Sequence, residues 1–233
     1  MLRRNFVVSK KKNMKTKETI AIIGATGGMG SAIARGLAQG SYRLILMSKN
    51  KKKLWELADS LKAGDAKADI DTTDCAKDVS WEGDVIIVAT PYKAEKEVAE
   101  RIREVATGKI VISISNPLNE EMNDLLTDPE SSAAEELQAL LPDSRVVKAF
   151  NTTFAADFAS PEIDGRKADA FIAGNDPSAL QTVSKLVAES GFNPVFAGDL
   201  TFSRTLERMQ LMLIQIGLRN NFNWFAGWKI PHK

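Results

Sequence analysis

Residues 20–40 read IAIIGATGGMGSAIARGLAQG, where an apolar run leads through closely spaced glycines into a stretch of small residues. The run before Gly24 is typical of a parallel β-strand that is covered on both faces. The small residues from Ser31 onward have helical spacing, and Gly40 ends that helix. A strand, a glycine turn and a helix in this order indicate a loop that binds nucleotide phosphates.

The glycines follow the spacing G-x-x-G-x-x-G at Gly24, Gly27 and Gly30. In such loops the first glycine allows a sharp turn, and the last lets the helix pack closely on the strand. Gly27 and Gly28 leave room for backbone N–H groups to approach a pyrophosphate. Thr26 adds a hydroxyl, and the helix N-terminus adds partial positive charge. We therefore expect a bound dinucleotide.

The end of the next strand indicates which dinucleotide is bound. An acidic residue there would favour NAD, because it bonds both ribose hydroxyls. Residues 47–53 instead read MSKNKKK. Ser48 and Lys49, supported by Asn50 and Lys52, offer the donors that a 2′-phosphate requires. The sequence therefore predicts NADP(H), although a solvent-exposed helix start that happens to be basic would have the same sequence pattern.

Apolar runs alternate with helical patterns along the chain, which predicts an α/β fold: a Rossmann-type doubly wound, mainly parallel sheet with a smaller C-terminal α/β extension. We expect a basic segment without ordered structure over residues 1–17, an NADP-binding domain over 18–150, and an extension over 151–233 that completes the sheet. The apolar-periodic pattern over 200–218 predicts a long helix. It fits either a core helix or a homodimer helix that also closes the acceptor pocket, and we expect a homodimer.

Ligands in such sheets lie at the carboxyl ends of the strands. Thr90 and Pro91 follow one strand and should lie along the cofactor. The candidates for the acceptor side are Tyr92, Asn116, Asn151 and Thr152, with Asn116 also near the cofactor. Turn formation explains the Asn-Pro pair equally well.

Few residues could serve acid–base catalysis. The one histidine is His232, and no Tyr-x-x-x-Lys pair occurs. Direct hydride transfer to a conjugated ring fits best, because it depends mainly on positioning. Two alternatives remain: a redox sensor or partner-binding module that binds NADP without catalysis, and an imine reductase similar to pyrroline carboxylate reductases.

Charge and composition exclude several classes. The first 17 residues carry seven Lys and Arg residues and no acid, so the remaining chain is mildly acidic and nucleic acid is an unexpected partner. No apolar run is long enough for a membrane span. The single cysteine, Cys75, fits a cytoplasmic location, and no cluster of ligands predicts a metal site.

Several segments together resemble the deazaflavin-dependent NADP oxidoreductase family: IIGATGGMGSAIARGLA, LMSKNKKKL, DVIIVATPY, ISISNPLN, RVVKAFNT and AGDLTFSRTLERMQLMLI. The resemblance covers roughly residues 19–218. The family includes NADPH-dependent reductases of the deazaflavin coenzyme F-420, and related domains occur in ferric reductases. The resemblance implies hydride transfer between NADP(H) and a deazaflavin or flavin. It also implies that NADP is held by Thr26, Gly27, Met29, Ser48 and Lys49, with Pro91 near the nicotinamide.

Overall fold

Strands and helices alternate from Glu18 onward, as the apolar runs predict. The computed structural model describes residues 17–64, 66–222 and 224–231, so nearly all of the basic segment predicted over 1–17 lies outside the described residues. The strands are β1 (Glu18–Ile23), β2 (Tyr42–Met47), β3 (Asp69–Thr73), β4 (Val85–Val88), β5 (Ile110–Ser113), β6 (Arg145–Lys148), β7 (Glu162–Ile163), β8 (Arg166–Lys167), β9 (Asp169–Gly174) and β10 (Asn193–Gly198). The helices are α1 (Gly28–Leu37), α2 (Lys51–Ala63), α3 (Ala76–Glu82), α4 (Tyr92–Ile102), α5 (Ala133–Leu140), α6 (Pro177–Glu189) and α7 (Ser203–Asn220).

Eight strands form one sheet in the order β10-β9-β6-β5-β4-β1-β2-β3. Neighbouring strands are parallel except β6 and β9, which pair antiparallel. The part from β3 to β6 has the strand order of a dinucleotide-binding sheet. The carboxyl ends of β1, β4, β5 and β6 therefore meet at one edge of the sheet. The structure confirms the predicted fold class.

Helices cover both faces of the sheet. Ile20 and Ile22 of β1 belong to a core that α1, α2 and α6 complete, while Ala21 and Ile23 belong to a second core beneath α3, α4 and α5. This alternation follows from the period of two in a strand. On β6, Val147 packs in the first core, so Lys148 lies on the opposite face of the sheet.

Some elements differ from the sequence prediction. The strand expected at 66–70 lies at Asp69–Thr73, because only Ile70 of this edge strand is buried and the apolar pattern is weak. Helix α3 and the β7–β8 hairpin were not predicted, and Cys75 immediately precedes α3. The helix expected over 200–218 begins with a 3₁₀ turn before α7. The domain division at residue 150 stays a prediction.

Candidate cofactor and acceptor site

The packing of the glycine loop itself requires two of its glycines. Gly24 adopts a left-handed conformation, with φ at 85°, and a Cβ there would collide with the carbonyl group of Ala89. A Cβ on Gly30 would collide with the carbonyl oxygen of Gly24. These glycines therefore allow β1, α1 and the end of β4 to approach one another closely.

The next two glycines leave the start of α1 open. Gly27 and Gly28 are exposed, and the nearest atom to a Cβ on Gly28 would be the Cβ of Ala155, at 4.0 Å. No side chain caps α1, so an anion could accept hydrogen bonds from its first backbone N–H groups. Met29 is half buried and packs against the core beside this opening. The loop can therefore admit a pyrophosphate.

Side chains from the loop and from β2 meet at the predicted 2′-phosphate position. The hydroxyl oxygens of Thr26 and Ser48 lie 2.6 Å apart, and Gly24 and Ala25 both donate backbone hydrogen bonds to the Met47 carbonyl, at 3.0 Å. Ser48 is buried except for a small fraction of its surface. These contacts join two segments that the sequence assigned to one cofactor.

The predicted lysines are exposed and only weakly paired. The Lys49 ammonium lies 3.6 Å from Glu97, and the Lys52 ammonium lies 4.0 Å from Glu56. Their side chains are 77% and 87% exposed. Exposed pairs at such distances contribute little, so both ammonium groups can turn to a phosphate. Asn50 is committed elsewhere, since its side chain accepts a hydrogen bond from the Lys53 backbone and caps α2.

One cavity of about 210 Å³ gathers residues from three strand ends. Five predicted cofactor residues line it: Gly24, Ser48, Lys49, Thr90 and Pro91. Arg101 also lines it and pairs with Glu97 at 2.6 Å. Sequence reasoning missed Arg101, whose only signal was its i,i+4 spacing from Glu97 on a predicted helix.

At the other end of the site, the ends of β5 and β6 are joined by two amides. The Asn116 side chain donates to the Asn151 carbonyl at 2.8 Å, and the Asn151 side chain donates back to Asn116 Oδ1 at 3.0 Å. Asn151 Oδ1 and Thr90 Oγ1 are buried without a hydrogen-bond partner. Buried polar atoms are normally paired, so both are suited to a ligand.

Two acceptor-site candidates lie apart from this pair. Thr152 is fully buried, and its hydroxyl accepts from the Phe171 backbone at 3.4 Å, because it faces the antiparallel β6–β9 junction. The Tyr92 hydroxyl donates to Glu136 at 2.6 Å in a separate groove between α4 and α5. Burial, together with Glu136, raises the pKa of Tyr92. The structure therefore does not bring Thr152 and Tyr92 to the Asn116–Asn151 pair.

Comparisons with known proteins identify the family of this chain. A family model described as NADP oxidoreductase, coenzyme F420-dependent, matches residues 19–117. An F420-dependent NADP reductase from Methanocaldococcus jannaschii is 34% identical over 212 residues, which cover 86% of this chain and 92% of that protein. The chain belongs to the coenzyme F420-dependent NADP oxidoreductase family. The family assignment confirms the resemblance inferred from the sequence and makes the protein an NADP-dependent oxidoreductase.

Two further proteins are more distantly similar to this oxidoreductase. The metalloreductase STEAP3 of Rattus norvegicus is 28% identical over 217 residues, but the match covers 93% of this chain and only 39% of STEAP3. A crystal structure from Arthrobacter sp. FB24, described as a candidate F420-dependent NADP-reductase, is 23% identical with a TM-score of 0.78. It covers 91% of this chain and 99% of that chain. At this identity the structural likeness supports the fold alone.

The oxidoreductase also contains a cluster of three buried charged residues that sequence reasoning missed. Glu95 of α4, Lys148 of β6 and Glu207 of α7, here called the buried charge cluster, are at most 4% exposed. The Lys148 ammonium lies 2.5 Å from Glu207 and also 2.5 Å from the Ser115 carbonyl oxygen. Burial raises the pKa of Glu95 to about 8, against the opposing effect of Lys148. A lysine within the apolar run RVVKAF was the available signal.

The described residues show neither a membrane helix nor a metal cluster. No helix among them is both long and apolar enough to cross a bilayer. Within the same part of the chain, no group of three or more His, Cys, Asp or Glu residues is placed to hold a metal ion. The absence of nucleic-acid binding and the cytoplasmic location stay predictions.

Proposed function

We propose that this oxidoreductase transfers hydride between NADPH and a flavin-like or deazaflavin acceptor. The observation that carries the proposal is that Thr90 Oγ1 and Asn151 Oδ1, which follow β4 and β6 at the same edge of the sheet, are buried without a hydrogen-bond partner. The M. jannaschii relative is an F420-dependent NADP reductase, which supports a deazaflavin acceptor.

The residues present suit NADP(H). The open start of α1 at Gly27 and Gly28 would bind the pyrophosphate, and Ser48 with Lys49 would bind the 2′-phosphate. Thr90 Oγ1 would accept or donate a hydrogen bond beside Pro91. Bound NADPH supplies the hydride. The protein contributes mainly position, because a bimolecular step gains most from fixing both reactants face to face.

The Asn116–Asn151 pair would orient the nicotinamide end. Asn151 Oδ1 has a free acceptor site, which matches an amide donor such as the carboxamide of a nicotinamide. Neither amide titrates, so neither can transfer a proton directly. This arrangement favours transfer to a conjugated ring over carbonyl or imine reduction, which requires a proton donor at the reacting atom.

An acceptor panel tests the proposal. Purified protein is mixed with NADPH and, separately, with a deazaflavin, flavin mononucleotide, a ferric chelate and a cyclic imine, and NADPH absorbance is followed. Oxidation with the deazaflavin or the flavin supports the proposal. Oxidation with the imine alone would establish the rival activity, and tight NADPH binding with no oxidation would indicate a sensor. Asn151→Ala should lower turnover while Thr26 and Ser48 still bind NADPH.

We also propose that the protein forms a homodimer through α7 and the segment after it. Met212, Ile216, Leu218 and Phe222 are exposed there, between 37% and 49% of their surface. Clustered exposed apolar side chains mark interaction surfaces. Light scattering at micromolar concentration should give twice the monomer mass, and a monomer would refute the assembly.

A further inference from the structure

The buried charge cluster lies directly behind the Asn116–Asn151 pair. Lys148 is the last residue of β6, three residues before Asn151, and its ammonium donates to the backbone carbonyl of Ser115, the residue before Asn116. One side chain therefore ties together the two strand ends that carry the pair. Glu207 holds that ammonium from α7, and its other carboxylate oxygen accepts from the Ala133 backbone at 3.2 Å.

The turn between Lys148 and Asn151 is strained. Phe150 has φ of 60°, a left-handed conformation that a bulky side chain rarely adopts. Such a conformation persists only where the surrounding structure imposes it. The Lys148 contacts on one side of Phe150 and the amide pair on the other provide that constraint.

The charge balance of the cluster depends on Glu95. The Lys148 ammonium pairs with Glu207, and Glu95 is a second buried carboxylate with no ion pair of its own. The three groups therefore carry a net negative charge when all are ionised and none when Glu95 is protonated. The charged or titratable groups that interact with Glu95 are Lys148 from β6, Glu207 from α7, Glu136 from α5 and Tyr92 from the start of α4. The Ser115 hydroxyl also interacts with it. A buried, uncompensated charge is costly, so the protonated form is favoured.

Several buried polar atoms around the cluster have no protein partner. They are Glu95 Oε1, Ser113 Oγ, Ser203 Oγ and Gln210 Oε1. Ser113 is the β5 neighbour of Lys148 in the sheet register, and Ser203, Glu207 and Gln210 lie on one face of α7 by their spacing. Such a polar region can rearrange when its charge changes, because its hydrogen bonds are not all fixed.

We propose that Lys148, Glu207 and Glu95 are positioning residues, which hold the ends of β5 and β6 so that the Asn116–Asn151 pair keeps its geometry, and that deprotonation of Glu95 loosens it. This inference rests on the proposed function where it concerns turnover. The inference about geometry can be measured without any acceptor.

The first experiment observes the pair directly. The side-chain amide signals of Asn116 and Asn151 in ¹⁵N-labelled full-length protein, assigned with alanine variants, are followed from about pH 6 to about pH 10. In the wild type and in Glu100→Gln, an exposed control on the same helix, both signals should shift with a midpoint near 8. In Glu95→Gln they should stay fixed. Signals that do not shift in the wild type, or shift equally in Glu95→Gln, overturn the proposal.

The second experiment removes the ion pair without burying a lone charge. The double variant Lys148→Met/Glu207→Met should fold, because apolar replacement of a buried pair is often neutral or stabilising. Its kcat should fall by roughly 10- to 100-fold, since a misplacement of about 1 Å can cost ~10²-fold. NADPH affinity should change much less, because the proposed phosphate contacts at Ser48 and Lys49 are untouched. The exposed pair variant Lys77→Met/Glu104→Met is the control. An unchanged kcat in the folded double variant overturns the proposal.

Turnover and the amide signals together distinguish a failure of the proposed function from a failure of the positioning role. If the wild type reduces no acceptor but its amide signals follow Glu95, the proposed function fails and the positioning role stands. If the wild type is active and its kcat falls above about pH 8, Glu95→Gln should abolish that fall while KM for NADPH stays the same. A fall that persists unchanged in Glu95→Gln overturns the role of Glu95.

Discussion

Replacing Lys49 with Glu should weaken the binding of NADPH and leave the binding of NADH unchanged. Lys49 lines the cavity at the end of β2 beside Ser48, and its ammonium is 3.6 Å from Glu97. NADH lacks the 2′-phosphate and so does not present the charge that Lys49 would meet. The variant also places a second carboxylate beside Glu97, which further disfavours an anion.

The size of the effect follows from exposure. The Lys49 side chain is 77% exposed, so one ion pair is worth about 0.2–1 kcal/mol. A 2′-phosphate carries about two negative charges, and the change from Lys to Glu reverses the sign of the interaction. Each of these two effects doubles the free energy of one ion pair, which gives a loss of about 1–4 kcal/mol in NADPH binding. The central value of about 2 kcal/mol corresponds to about 30-fold in Kd.

The assay is titration of intrinsic tryptophan fluorescence with NADPH and with NADH, repeated at low and high salt. The loss for NADPH should shrink with salt, since the Debye length is about 10 Å at ~0.1 M. Lys96→Glu, on the exposed surface of α4, makes the same charge change outside this cavity and should affect neither cofactor. Equal losses for NADPH and NADH, or none for either, would refute the assignment of Lys49.

Three further outcomes test other parts of the structure. Gly30→Ala should lower the free energy of unfolding in urea by about 1–3 kcal/mol, because its Cβ would collide with backbone atoms. Gly28→Ala should leave stability unchanged and weaken NADPH binding, measured by calorimetry. Glu95 binds its proton more tightly in the folded state, so the free energy of unfolding should fall by up to about 5 kcal/mol as pH rises from 4.5 through about 8. Glu95→Gln should remove that fall. The same dependence of the free energy of unfolding on pH in Glu95→Gln would refute the pKa shift. Tyr92→Phe should lose about 1 kcal/mol from its bond to Glu136, yet leave kcat unchanged in the acceptor assay.

The residues that meet around the glycine loop could be predicted from the sequence because their signals are local. Turn glycines, a helix start and the residue after a strand each act through neighbours a few positions away, so Gly24, Gly30 and Ser48 could be read from the sequence. The alternation of strands and helices likewise fixes a parallel sheet, since parallel strands need crossover connections. The edge strand β3 was misplaced because one buried side chain, Ile70, leaves little pattern.

The arrangement of the candidate acceptor residues could not be predicted in the same way because it depends on long-range packing. Thr152 and Asn151 are adjacent in the chain, yet one is tied to β9 and the other pairs with Asn116. Nothing local distinguishes them, since the antiparallel arrangement of β6 and β9 decides which side chain points to the junction. Tyr92 follows Pro91 directly, but the start of α4 turns it towards Glu136 on α5.

The buried charge cluster shows how distant parts of the chain depend on each other. Lys148 interrupts an apolar strand, which is unfavourable unless a partner is supplied, and Glu207 supplies it from a helix 59 residues later in the chain. The C-terminal extension is therefore not only a cover for the sheet. Through this ion pair it fixes the strand ends that carry Asn116 and Asn151, so α7 and the proposed nicotinamide end of the site should respond together to substitution in either one.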